Sequence, residues 1–250
     1  MTTIYDPHHP LYLDEADTRK ELERVYDLCH GCRLCFKFCP SFPTLFDYID
    51  QHDDQDAGKM TPAQQDHVAD ECFQCKLCYI NCPYIPSLHE WALDFPRLML
   101  RTDAMRRANG HMSTRNKVTT AVMGRTDALG KAATSASVVT NVVMGAKSGS
   151  LIRKVVEKTA GISSVRLLPP FAKTRFSTWY KRRPKIRLNN PKAKVAVYPT
   201  CMVEYQDPSI GQDLIKVYEH NGIECTIADN AACCGAPYLH SGDMATFTKV

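Results

Sequence analysis

CHGCRLCFKFCP (29–40) and CFQCKLCYINCP (72–83) are two copies of one pattern, and their reading decides the fold. Each cysteine of the second copy lies 43 positions after its counterpart. The two-residue gaps let three thiolates converge on three corners of one cubane, with backbone N–H groups of the tight turns aimed at the sulfides. The fourth cysteine comes three residues later, before a proline that fixes φ and turns the chain away. In such paired motifs the fourth cysteine ligates the cluster of the other motif. The expected ligand sets are therefore Cys29, Cys32, Cys35 and Cys82 for one [4Fe-4S] cluster, and Cys72, Cys75, Cys78 and Cys39 for a second.

Two other uses of cysteine compete. A disulfide framework belongs to small secreted chains, and MTTIYDPHHPLYLDEAD lacks the basic start and apolar core of a signal peptide. Zinc takes two separated C-x-x-C pairs or Cys/His mixtures, whereas here a third and fourth cysteine and a proline follow. His30, beside Cys29, reads as a solvated loop residue.

The 250 residues, 44% hydrophobic and 23% charged, have room for two domains, and no apolar run of membrane-spanning length occurs. The expected location is the cytoplasm, with peripheral attachment to the inner face of the membrane as its variant. The net charge of +4 hides a division. Residues 1–96 carry 7 Lys/Arg against 17 Asp/Glu, and residues 97–187 carry 20 against 3.

Asp17 reads as the N-cap of a helix with Leu22, Val25 and Leu28 at helical spacing. DYIDQHDDQDAGK (47–59) reads as an acidic surface loop, and Thr61-Pro62 as a helix start. Ser87 and Glu90 have capping-box spacing, so a short helix is expected there, kinked or restarted by Pro96 before RLMLRTDAMRRA. From 113 to 170, Val138, Val139, Val142 and Val143 form one stripe, and Leu151, Ile152, Val155 and Val156 another, flanked by Lys147, Arg153, Lys154 and Lys158. This basic stretch reads as a solvated linker folded onto the acidic domain, as a contact with a membrane or a membrane-bound subunit, or as a nucleic-acid patch; no recognised nucleic-acid motif accompanies it.

A strand at 194–198, a helix from Pro208 and a strand at IECTIA form a β-α-β beginning. Cys201 and Cys233-Cys234-Gly235 fall just past the carboxyl ends of its strands, where open α/β sheets hold their ligands. Vicinal thiolates with a glycine that lets backbone approach a bulky group read as metal ligands; the competing reading is a pair of inert buried cysteines. Cys225, inside the second strand, reads as a small core residue, and His240 as a solvated surface histidine.

The paired C-x-x-C-x-x-C-x-x-x-C-P motifs, PYIPSLHEWALDFPRLML (83–100) and Cys201 with Cys233-Cys234-Gly235 resemble the iron–sulfur subunits of anaerobic glycerol-3-phosphate dehydrogenase. Glycolate oxidase iron–sulfur subunits and the catalytic subunits of heterodisulfide reductases are similar. The resemblance implies a mixed fold: a mostly α-helical two-cluster ferredoxin-type domain over 1–110, a basic helical linker over 111–190 and a partial α/β CCG cysteine-rich domain over 191–250. It implies an electron-transfer component that takes electrons from a flavoprotein dehydrogenase of glycerol-3-phosphate or 2-hydroxy acid type and passes them to quinone or another acceptor. The alternatives are a reductase of the heterodisulfide type acting at a CCG cluster and a cluster-bearing nucleic-acid binder or sensor. A full CCG pattern continues to Cys-x-x-Cys, whereas 15 residues follow Gly235 here. The partial site of Cys201, Cys233 and Cys234 is thus expected to hold a further cluster only if completed.

Overall fold

The first helix, α1 (Glu15–Cys32), starts at Asp14, whose side chain accepts the Asp17 N–H at 2.8 Å. The cap therefore lies three residues earlier than Asp17. Asp17 meets Arg101 at 2.5 Å instead. Leu22, Val25 and Tyr26 form the buried stripe of α1, each side chain worth about 2 kcal/mol of apolar burial. The computed structural model describes residues 5–184, 186, 190–228 and 233–250. They fall into two compact units, one within 1–124 and 235–250 and one within 125–234.

In the first unit, α2 (Ser41–Asp50) follows directly on Pro40, with Phe42, Leu45, Phe46 and Ile49 buried at helical spacing. The acidic loop expected from 47 thus begins only after Asp50, because Ile49 is drawn into the core. A 3₁₀ turn at Ala57–Lys59 precedes α3 (Pro62–Asp70), which starts as read, with Thr61 and Gln64 forming a capping box. The short α4 (Leu77–Asn81) lies within the second cysteine copy. The helix expected at Ser87–Glu90 is absent: residues 83–92 are turns and loop. Leu88 is 69% exposed, so a helix there would have no apolar face to dock. Asp94 caps α5 (Phe95–Ala108) by accepting the Arg97 N–H at 3.0 Å, and Pro96 sits in its first turn, where it starts the helix and kinks nothing.

Arg101 on α5 is fully buried and donates to the Tyr12 carbonyl at 3.0 Å and the Leu11 carbonyl at 2.6 Å. It ties the N-terminal segment to the helical core that backs the cysteine motifs. After α6 (Thr114–Met123), the unit is completed by α12 (Ala236–His240) and α13 (Met244–Phe247). Gly242, at φ 70°, passes so close to α5 that a Cβ would lie 2.3 Å from the Asp103 backbone.

In the second unit, α7 (Thr126–Ser135), α8 (Ser137–Met144), α9 (Leu151–Ala160) and α10 (Phe176–Arg182) precede β1 (Ala193–Val197). A turn of π-helix at Met202–Gln206 leads into α11 (Pro208–His220) and β2 (Ile223–Ile227). The strands pair in parallel from Ala193↔Ile223 to Val197↔Ile227, with α11 as the crossover. Phe176, Ile215 and Cys225 form the core on this pair, so Cys225 is the small core residue the sequence suggests. The whole is a mostly helical chain with a small parallel sheet near its C-terminal end.

The valine and leucine stripes do form helices, but their apolar side chains point outward: Val138 is 76% exposed on α8 and Leu151 81% on α9. No helix among the described residues is long and apolar enough to cross a membrane.

Candidate metal centres

The first motif is carried by the end of α1 and the turns after it. Cys29 and Cys32 are in the last turn of the helix, and Arg33 closes it in the left-handed conformation, its N–H returning to the Cys29 carbonyl at 2.8 Å. The second motif leaves α3 through a turn instead. Lys76, 43 positions after Arg33, is left-handed as well, at φ 62° against 50°. Both residues stand between the second and third cysteines of their copies, so the sequence repeat is also a backbone repeat there. A non-glycine residue in this region costs about 1 kcal/mol.

Cys29, Cys32, Cys35 and Cys82 line one cavity together with Leu28, Phe42 and Leu93. Burial pushes the Cys29 thiol far up, and the neighbouring Cys35, Cys82, Cys78 and Cys32 add to it. Burial and then Cys82 push Cys35 up to about 11. Cys82 is raised by burial against the Tyr84 N–H, which donates to its sulfur at 3.4 Å. Burial, Cys39, Asp103 and Cys75 push Cys72 up to about 11, opposed by the Gln74 N–H. Cys78 is raised by burial and by Cys35, Cys72, Cys39 and Cys75. Cys39 is thus among the neighbours of Cys72 and Cys78, and Cys82 among those of Cys29 and Cys35. The two groups adjoin through Cys35 and Cys78.

The donor set fits iron–sulfur clusters. Burial in an apolar pocket, with repulsion between neighbouring thiolates adding to it, raises Cys29, Cys35, Cys72, Cys78 and Cys82, and bound iron would offset both costs. N–H groups of Tyr84 and Gln74 already face sulfur. No three His, Cys, Asp or Glu side chains among the described residues converge as a single ion requires. A cubane presents a separate iron to each thiolate, so its ligands need not converge.

Two groups beside the motifs carry no signature in the sequence. His30 is buried, not solvated, and its Nε2 meets Asp50 Oδ1 at 2.8 Å, with Arg33 2.5 Å from the same carboxylate. This cluster ties the end of α1 to the end of α2, and no spacing rule links residue 30 to residue 50. Near Cys72, Arg106 pairs with Asp70 at 2.7 Å, Asp66 at 3.1 Å and Asp103 at 3.2 Å. Burial pushes Asp103 up to about 7 although Arg106 opposes it. His240, a few residues past the Cys-Cys-Gly turn, is exposed and lines a cavity with Cys72 and Asp103.

In the second unit, Cys201 opens the π-turn after β1, while Cys233 and Cys234 follow β2. Burial and then the charges of Cys233 and Cys234 raise Cys201, so the three thiols are neighbours. Cys201 and Cys233 line a cavity of about 210 Å³ with Lys131, Arg175, Lys181 and Tyr205. Glu204 beside it accepts the Ser177 N–H at 2.9 Å and hydroxyl at 2.6 Å. Gly235 is left-handed at φ 75°, and a Cβ would lie 2.7 Å from Phe247, so packing within the protein already requires glycine there.

Residues 21–84 match the 4Fe-4S dicluster domain and residues 195–250 the cysteine-rich CCG domain. The chain is an iron–sulfur protein. It is homologous to a subunit of the anaerobic glycerol-3-phosphate dehydrogenase of Escherichia coli strain K12, 28% identical over 141 residues, which are 56% of this chain and 35% of that protein. A subunit of the fumarate reductase (CoM/CoB) of Methanothermobacter marburgensis is 31% identical over 55 residues, 22% of this chain and 11% of the relative. Lactate utilization protein A of an Exiguobacterium species is 40% identical over 48 residues, 19% of this chain and 20% of the relative. The matched stretch is thus about a third or less of each of these relatives. No solved structure matches the chain.

Proposed function

We propose that this iron–sulfur protein is an electron-transfer subunit that accepts electrons singly from a flavoprotein dehydrogenase and passes them toward quinone or another acceptor. Cys29, Cys32, Cys35 and Cys82 would hold one [4Fe-4S] cluster, and Cys72, Cys75, Cys78 and Cys39 the other. Each cluster, when bound, supplies a one-electron couple. The observation that carries the reading is the adjacency of the two thiolate groups through Cys35 and Cys78, which suits transfer between neighbouring centres. The chain's own residues hold the sulfurs, aim N–H groups at them and exclude water with Leu28, Phe42 and Leu93. Anaerobically prepared protein should carry about eight iron atoms in this region and, once reduced, give interacting paramagnetic signals. Zinc in place of iron, or one isolated signal from fully loaded protein, would remove the basis of a two-centre relay.

A second element of the reading is a membrane-surface contact through α8 and α9. Their exposed apolar stripes lie in a stretch with a large excess of Lys and Arg. A basic residue near an anionic leaflet contributes about 1 kcal/mol. In flotation the protein should rise with anionic vesicles at low salt and be released at high salt. Failure to rise with anionic vesicles at low salt would leave these helices as solvated surface.

A further inference from the structure

Beside the first motif, Asp27, Cys32, Asp54, Tyr84 and Trp91 line an open groove of about 450 Å³. Within it the Trp91 ring packs 4.8 Å from Tyr84 and 4.7 Å from His89, and Arg24 donates to the Trp91 carbonyl at 2.9 Å. Its rim is acidic. Asp27 of α1 and Asp54 line it, and Asp50, Asp53 and Asp56 flank Asp54 in sequence, with Lys59 the single lysine of residues 50–59. Lys59 pairs with Asp54 and Arg33 with Asp50, while Asp27 and Asp53 have no salt bridge among the described residues.

Cys32 is exposed in this groove, in contrast to Cys29 and Cys35. Electron transfer slows steeply with distance, so a partner's redox centre gains most by lying over the thiolate nearest solvent. Cys75 is the exposed thiol of the other motif, but its surroundings differ: Phe73 is 67% and Ile80 74% exposed, with Lys76 adjacent. An aromatic platform inside an acidic rim is the arrangement that captures a basic protein, the ring supplying the anchor and the carboxylates the steering.

We propose that the groove of Asp27, Cys32, Asp54, Tyr84 and Trp91 is the docking site for a basic electron-transfer protein, a proposal that rests on the relay reading above. The step is one electron leaving the reduced protein for the partner's oxidised centre, with no proton or bond exchanged. The probe is cytochrome c, a lysine-rimmed one-electron acceptor. Its Kd is measured with the oxidised cluster-loaded chain, and its reduction is followed by stopped flow after dithionite treatment and removal of the excess.

Binding should weaken as salt rises, and D27K combined with D54K should weaken it by about tenfold at low salt. Both aspartates are exposed, so iron content should stay as in wild type. Trp91→Ala should weaken binding without altering its salt dependence. The same charge change at Asp47 and Asp213, neither of which lines the groove, should have a much smaller effect. Equal weakening by the two charge-reversed pairs, or none by D27K with D54K, overturns the site while leaving the relay standing. Salt-dependent binding without electron transfer from reduced wild type overturns the relay reading, and the proposal with it.

Discussion

Asp103 has its carboxyl raised from an ordinary 3.8 to about 7, chiefly by burial, with Asp70 and Asp66 adding to the effect and Arg106 opposing it. Between those values the folded chain keeps a proton that the unfolded chain has lost, so this contribution to stability is present at low pH and disappears as pH rises through about 7. Thermal stability of wild type should fall between about pH 4 and pH 7, and Asp103→Asn should remove about 2 kcal/mol or more of that fall. An unchanged slope in the variant would assign the pH dependence to other groups. The two-cluster character of the cysteine motifs was legible at this scale because their spacing is itself the chemical requirement. Asp103, His30 and Asp50 were not: Asp103 owes its shift to burial, which no local pattern announces, and His30 and Asp50 meet across 20 residues.

The helices were legible wherever a cap and an apolar stripe agreed. Thr61-Pro62 announces α3, and β1, α11 and β2 stand within a residue of the strand, helix and strand read at 194–198, from Pro208 and at IECTIA. Ser87 and Glu90 had the cap without the stripe, and the segment stayed in turns. Asp14 prevailed over Asp17 because Asp17 is claimed by Arg101, a contact that no local pattern contains. The stripes on α8 and α9 show a further limit. Periodicity identified the helices correctly, but an apolar face is compatible with a core or with an exposed contact surface, and here it is exposed.

For the whole molecule, the internal repeat at 43 residues was the most informative feature, since it announced two equivalent sites. It did not announce that their surroundings differ. The first copy sits at the end of a long helix beside an acidic groove, and the second emerges from a turn beside exposed apolar residues. The proposed ligand sets have each motif lending its fourth cysteine to the other's cluster. The most direct measurement compares electron paramagnetic resonance spectra of reduced Cys39→Ser with those of Cys32→Ser and Cys75→Ser, all prepared anaerobically. Exchanged ligation predicts that Cys39→Ser alters the same signal as Cys75→Ser and leaves the one altered by Cys32→Ser intact. A Cys39→Ser spectrum that matches Cys32→Ser would contradict it and return Cys39 to its own motif.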